Sequence, residues 1–141
     1  MTQPPSGSPP PVAAVLTDGD VSLDLVALAA EICRLYREEF PDEEGRYGDA
    51  GMAWCVHDNQ HILNWAVGAA NGWVDLSKEL AWLARVLEAR NFPLERLARD
   101  LEIAADVVSV DAVAHELRAG AAFICSKSTF LGFVPDGPET Q

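Results

Sequence analysis

Basic residues are scarce in this chain. Its 141 residues include 10 Lys and Arg against 22 Asp and Glu, which gives a formal net charge of −12 at pH 7. Nucleic acids and anionic membrane surfaces would repel such a protein, because binding to either depends on cationic side chains. The composition therefore predicts neither kind of partner, and it is compatible with small molecules or a basic protein surface.

Long hydrophobic runs are also lacking. No apolar stretch reaches the roughly 18 residues of a membrane-spanning helix, and the N-terminus does not have the basic and apolar regions of a secretory signal. Cysteine is limited to Cys33, Cys55 and Cys125, with no Cys-x-x-Cys pair. Each lies in a helical apolar pattern, so we expect three small buried thiols in a reducing compartment and a cytoplasmic protein.

A strand-like alternation of apolar and polar residues is missing over any useful length. Apolar residues instead recur three and four positions apart, which is the helical spacing. The first such segment runs from Ser22 to Phe40, with Asp18, Asp20 or Ser22 as its N-cap, and further segments begin near residues 51, 75, 93 and 111. The sequence therefore predicts an all-α fold, a single bundle of about five helices joined by short loops.

The two ends of the chain differ in composition from its middle. Residues 2–11 hold five prolines, one glycine and two serines, a composition that disfavours helix and sheet. We predict a disordered tail over residues 1–18, a helical bundle domain over 19–134 and a frayed C-terminus over 135–141. The acidic, breaker-rich segment 41–48 is expected to be a solvated loop, and residues 126–134 are expected to pack across the bundle.

The segment 51–70 reads as one long helix around which the bundle is built. It is apolar on two sides, which is typical of a helix packed between others. A narrow polar strip runs through His57, Gln60 and Asn64. On one of the two apolar sides, an aromatic stripe, a carboxylate and an imidazole, Asp58 and His61, stand between Trp54 and Trp65, an arrangement that a purely hydrophobic core would not favour.

Two interpretations of Asp58 and His61 follow. Side chains three apart on a helix are neighbours, so the two residues can form a hydrogen-bonded structural pair inside the bundle. Alternatively, tryptophans around an acid and an imidazole make an apolar cleft with a few convergent polar groups, as in many small-molecule sites. The predicted ligand-binding residues are then Trp54, Asp58, His61, Trp65 and Trp82.

A metal site is the alternative hypothesis. His57 and His61 are four apart, as in the His-Glu-x-x-His helix of zinc proteases, and His115 on the last helix can supply a third nitrogen. This arrangement would indicate a zinc- or iron-dependent hydrolase or transferase. Because Asp58 replaces the glutamate of that motif, its carboxylate is about 1.5 Å shorter in reach.

One sequence pattern is similar to that of a known helical module. It reads Cys55-x-x-Asp58-x-x-His61-Ile62-x-x-Trp65-Ala66, followed by Leu80-x-Trp82-Leu83-x-x-Val86-Leu87-x-x-Arg90 and Pro93. Over residues 30–108 the chain resembles the helical module found beside cobalamin-binding domains in bacterial sensory proteins. The resemblance implies a regulatory module without catalytic machinery, in which Asp58 and His61 are the signature polar pair. The Asp-x-His-x-x-Gly signature that ligates cobalamin is absent, so no cofactor is predicted.

The sequence thus predicts a non-catalytic, sensor-like helical module that binds a small ligand or a protein partner in trans. No catalytic residue is predicted, and the oligomeric state is left open.

Overall fold

Six helices and one hairpin make up the part of the chain that the structure, a computed structural model, describes, residues 4–133. The elements in chain order are β1 (Ala13–Leu16), β2 (Val21–Asp24), α1 (Leu25–Glu39), α2 (Glu43–Tyr47), α3 (Asp49–Ala70), α4 (Leu76–Ala89), α5 (Leu94–Val107) and α6 (Asp111–Cys125). The predominantly helical fold is confirmed, but the prediction of an all-α class is wrong because β1 and β2 form an antiparallel sheet.

The β1–β2 hairpin lies partly inside the predicted N-terminal tail. Leu16 and Leu23 are buried against the helices, and Asn71 at the end of α3 holds the hairpin in place. The Asn71 Nδ2 donates to Val15 O at 2.9 Å, and its Oδ1 accepts from the Thr17 backbone N–H, also at 2.9 Å. Four-residue strands are too short for a clear period-two pattern, and long-range packing stabilises them here.

Helix α1 begins three residues later than predicted. The structure makes Asp24 the N-cap, with its Oδ1 accepting from the Ala27 N–H at 3.0 Å. Asp20 and Ser22 cannot cap the helix because Asp20 lies in the hairpin turn and Ser22 in β2.

Helix α3 is the central helix, as predicted from its apolar faces. It packs against α1, α2, α4, α6 and β1. Gln60 departs from the predicted polar strip, since it is buried and its Nε2 donates to the backbone oxygen of Pro11 at 3.0 Å. The largest side chains that are fully buried in the core come from five of the helices and the C-terminal segment: Leu25, Ile32, Ile62, Leu63, Leu80, Leu101, Leu117, Ile124 and Phe130.

The segment predicted to be a solvated acidic loop contains α2. Glu43, the first residue of this short helix, is buried and forms an ion pair with Arg96 of α5, with 2.6 Å between Oε2 and Nη1. A charge pattern alone does not reveal this, because the partner that makes burial tolerable lies 53 positions away.

The cysteines also depart from prediction. Cys33 of α1 and Cys55 of α3 form a disulfide, and Cys125 is exposed at the end of α6. The expectation of three buried, unpaired thiols is therefore wrong. Since a disulfide is typical of oxidising compartments, the cysteines no longer support the cytoplasmic location, which stays a prediction.

The C-terminal segment packs across the bundle as expected. Phe130 is fully buried and lies in a ring cluster with Phe123 and Phe133, with centroids 5.5–6.3 Å apart. The predicted frayed end, 135–141, and residues 1–3 of the predicted tail lie outside the described residues. Within residues 4–133 no helix is both long and apolar enough to cross a membrane.

Candidate functional site

An open cleft of about 800 Å³ lies between α3 and α4, and we call it the aromatic cleft. All five residues predicted to bind a ligand line it: Trp54, Asp58, His61 and Trp65 from α3, and Trp82 from α4. The spacing of four, three and four along α3 places its four residues on one helix face. Whether these residues bind a ligand stays a prediction.

Five aromatic side chains follow one another along this cleft. The ring centroids of Trp54 and His57 are 5.3 Å apart, those of His57 and His61 4.9 Å, and those of His61 and Trp65 5.9 Å. The series continues from α3 to α4, where the ring centroids of Trp65 and Trp82 are 6.5 Å apart. These distances are typical of edge-to-face and tilted aromatic pairs, so the rings form a continuous wall.

The Asp58 carboxylate is paired with His57. Its Oδ1 lies 3.1 Å from Nδ1 of His57, while the His61 ring packs between those of His57 and Trp65. The alternative that made Asp58 and His61 a hydrogen-bonded pair is therefore not what the structure shows. A spacing of three residues permits such a pair, but the carboxylate of Asp58 is hydrogen-bonded to the adjacent imidazole of His57 instead.

Burial changes the protonation of both polar groups. It raises the pKa of Asp58, an effect that the hydrogen bond and charge of His57 and the charge of Arg90 oppose. Burial also lowers the pKa of His61, and the neighbouring charge of His57 adds to this. His61 is therefore a neutral imidazole at pH 7, and it offers an aromatic face with one donor and one acceptor.

Three cations stand around the cleft in this otherwise acidic protein. The Arg90 guanidinium lies over the Trp54 ring, 5.4 Å from its centroid, and Arg85 donates to the Phe133 backbone oxygen at 2.7 Å. The third, Lys78, is exposed at the mouth of the cleft. No serine, threonine or free cysteine lines this part of the described chain, so the His57–Asp58 pair has no hydroxyl or thiol beside it to activate.

A smaller cavity of about 50 Å³ adjoins the aromatic cleft, and we call it the inner chamber. Trp54, Asp58, Leu83 and Leu87 line both spaces. The inner chamber carries most of the buried polar side chains of the bundle. The polar side chains around it come from α1, α2, α3 and α5, and all but the half-buried Tyr47 and Asp58 are buried: Tyr36, Glu43, Tyr47, Asp58, Asn59 and Asp100.

Asn59 connects the inner chamber to its neighbours. Its Nδ2 donates to Asp100 Oδ1 at 3.1 Å and to the Cys55 backbone oxygen at 3.0 Å, and it lies 3.6 Å from the sulfurs of both disulfide cysteines. Its Oδ1 has no hydrogen-bond partner among the described residues. The same holds for the hydroxyl group of Tyr47, so two buried polar atoms remain unsatisfied around one cavity. The hydroxyl group of Tyr36 lies near Glu43, whose hydrogen bond and charge both raise the pKa of Tyr36.

The carboxyl group of Asp100 is the most perturbed in the described chain. Burial raises its pKa to about 7; the hydrogen bond from Asn59 opposes this rise, and the charges of Asp58 and Glu43 add to it. Burial also raises the pKa of Tyr36, as does the charge of Glu43. The inner chamber is thus a place where negative charge is costly unless a donor or cation compensates it.

The predicted site does not include the residues of the inner chamber, although their spacing gave a signal. Asn59 precedes Ile62, Leu63 and Ala66 at three-, four- and seven-residue spacing, and Asp100 lies between Leu97 and Ala104 in the same way. A polar residue on a buried stripe marks a position that needs a partner.

The three histidines of the metal hypothesis are not brought together. His57 and His61 line the cleft, but His115 is exposed on α6 and does not. In residues 4–133 no group of three or more His, Cys, Asp or Glu side chains is arranged to hold a metal ion. A zinc or iron site at His57 and His61 stays an untested prediction.

Comparisons of the chain with protein-family models, with curated proteins and with solved structures found no match.

Proposed function

We propose that this chain is a non-catalytic binding module whose aromatic cleft takes a small molecule with a flat, apolar body. The observation that carries the proposal is the unbroken series of rings from Trp54 to Trp82 along an open cleft. Exposed aromatic surface of this kind is uncommon in a stable domain without a binding partner, and Trp82 is 51% exposed.

The size and lining of the cleft support this proposal. A volume of about 800 Å³ falls within the usual range for small-molecule sites, roughly 300–1,000 Å³. The wall is mostly apolar, and His61 and Asp58 are convergent polar groups within it. Such a combination gives affinity through the rings and orientation through the polar atoms.

A regulatory or sensory role is part of the proposal. The two halves of the pattern that resembles the module beside cobalamin-binding domains lie on α3 and α4, and both halves contribute side chains to the aromatic cleft. This supports a common role for the two segments. In a signalling protein, a ligand bound in the cleft would change the relative positions of α3 and α4 and so the surface that these helices offer to a partner protein.

Titration with indole, followed by ¹H–¹⁵N NMR, tests the proposal. The chain has four tryptophans, each with one side-chain N–H signal. We expect the signals of Trp54, Trp65 and Trp82 to shift saturably, while that of Trp73, which is 71% exposed and does not line the cleft, stays in place.

Two matched variants complete the experiment. Trp82→Ala should weaken indole binding about tenfold, as expected for an aromatic anchor, and Trp73→Ala should leave it unchanged. Equal effects of the two substitutions, or shifts of all four signals alike, would show non-specific binding and contradict the proposal.

A further inference from the structure

The inner chamber has more negative charge and more hydrogen-bond acceptors than its own residues compensate. Glu43, Asp58 and Asp100 place three carboxyl groups around about 50 Å³. Arg96 pairs with Glu43, and His57 pairs with Asp58. Asp100 accepts a hydrogen bond from Asn59 but has no ion pair with a cation within the described residues. The imbalance favours a guest that donates hydrogen bonds and carries positive charge.

Unsatisfied buried atoms point to a guest independently of the carboxylates. Asn59 is 2% exposed and its Oδ1 has no donor within the described residues. The hydroxyl of Tyr47, which also lines the chamber, has no hydrogen-bond partner there either. A buried polar atom that makes no hydrogen bond destabilises the folded state. A chamber of this volume admits an ammonium group, which is close to a water molecule in size.

The inner chamber adjoins the aromatic cleft. Trp54 and Asp58 line both spaces, so these two side chains separate the cleft from the chamber. A ligand with its ring in the cleft would pass a short polar arm between them into the chamber. We infer that the ligand is an arylalkylamine, a protonated primary amine on a flat aromatic body, with the ammonium group held by the acceptors of the inner chamber. This inference rests on the proposed function and names its ligand class.

The cations around the aromatic cleft would repel a positively charged ligand, but this repulsion is weaker than the attraction from the carboxyl groups of the inner chamber. Lys78 and Arg90 are exposed, so water and salt screen their charges. Arg85 is already engaged by the Phe133 backbone oxygen. The carboxyl groups of the chamber act in a less polar medium, where the same charges interact more strongly.

Three probes share the indole ring and differ in charge: tryptamine is a cation, indole is neutral and indole-3-acetate is an anion. Their affinities therefore separate the effect of ligand charge on binding from the effect of the aromatic ring. We expect tryptamine to bind about tenfold or more tightly than indole, because its ammonium group gains charge-assisted hydrogen bonds, and indole-3-acetate to bind no more tightly than indole. The tryptophan N–H signals report binding of all three.

Asp100→Asn supplies the decisive variant, since it removes the charge and keeps an acceptor for Asn59. It should reduce tryptamine affinity about tenfold and leave indole affinity unchanged. Because such a variant can fail to fold, a titration of the unmodified protein gives a second test. Tryptamine affinity should rise between about pH 6 and pH 8, as Asp100 loses its proton.

The pH response has other contributors, which the probes distinguish. His57 and His61 face the cleft from α3, Glu43 and Arg96 lie beside the chamber, and Asp58 lines both spaces. The contribution of Asp100 disappears in Asp100→Asn, whereas the contributions of the other groups remain in that variant.

Equal affinity for tryptamine and indole, or a preference for indole-3-acetate, would overturn the amine inference and leave the aromatic cleft as a binding site. Absence of shifts with all three probes would overturn the proposed function as well.

Discussion

At the scale of single residues, Asn59 decides how the interior of the site is arranged. Its amide nitrogen links α3 to Asp100 of α5 and lies against the sulfurs that join α3 to α1. A buried amide is tolerated only when its hydrogen bonds are made. Asn59 therefore fixes the positions of the groups that surround the inner chamber.

Asp100 gives a prediction at this scale. Its pKa is raised to about 7, so between about pH 4 and pH 7 the native protein keeps a proton that the unfolded chain has released. The free energy of unfolding should fall as the pH rises through this window, by up to about 4 kcal/mol from this group. Asp100→Asn removes the effect, and urea unfolding at several pH values measures it.

The expected result is that the free energy of unfolding of Asp100→Asn, relative to that of the unmodified protein, increases from about pH 4 to about pH 8. Asp18→Asn is the control, because it removes the same charge from the exposed hairpin turn. A difference that does not vary with pH would show that Asp100 is not protonated in the native state.

At the scale of elements, the position of α3 depends on links to its neighbours. The Cys33–Cys55 disulfide joins it to α1, Asn71 joins it to the hairpin, and Gln60 joins it to the chain before β1. All three links lie on the central helix that also carries the aromatic cleft. They hold one wall of the cleft fixed while α4 supplies the other.

The disulfide gives a prediction for these elements. Cys33 and Cys55 are 22 positions apart, and a cross-link that closes a loop of this length stabilises a protein by about 3 kcal/mol in the chain-entropy description. The double variant Cys33→Ser, Cys55→Ser should lose about that much in urea unfolding. A thiol reductant should lower the stability of the unmodified protein and leave the double variant unchanged.

Cys125→Ser, at the exposed cysteine, is the matched control and should unfold like the unmodified protein. Titration of three free thiols in the native, unreduced protein would contradict the pairing.

At the scale of the whole molecule, charge is the dominant feature. The net charge is −12, and the excess negative side chains repel one another across the surface, which destabilises the compact folded state. Ion pairs such as Arg34–Glu31 and Arg99–Glu39 stand partly in solvent, and pairs of this kind contribute little to stability. We therefore expect the repulsion between negative side chains to destabilise the folded state by more than the surface ion pairs stabilise it.

Added salt tests this balance. Raising the ionic strength from about 10 mM to about 150 mM shortens the Debye length from about 30 Å to about 8 Å. The melting temperature should rise by about 3 °C, which corresponds to about 1 kcal/mol for a domain of this size. The chlorides of sodium and potassium should act alike, and a fall in melting temperature would show that the ion pairs dominate.

The sequence by itself determined the features that depend on local spacing. Periodic apolar residues predicted the helices, the two apolar faces of α3 predicted its central place, and the spacing of Trp54, Asp58, His61 and Trp65 put them on one face. These follow from helix geometry, which acts over a few residues.

Only the tertiary structure decided which distant groups meet. Residues between 22 and more than 50 positions apart meet where Asn71 holds the hairpin, where Glu43 is buried beside Arg96, in the disulfide and around the inner chamber. Such partners are selected by packing and by the need to satisfy buried polar groups. Local spacing marks Asn59 and Asp100 as buried polar positions that need a partner, but it does not encode which distant residue that partner is.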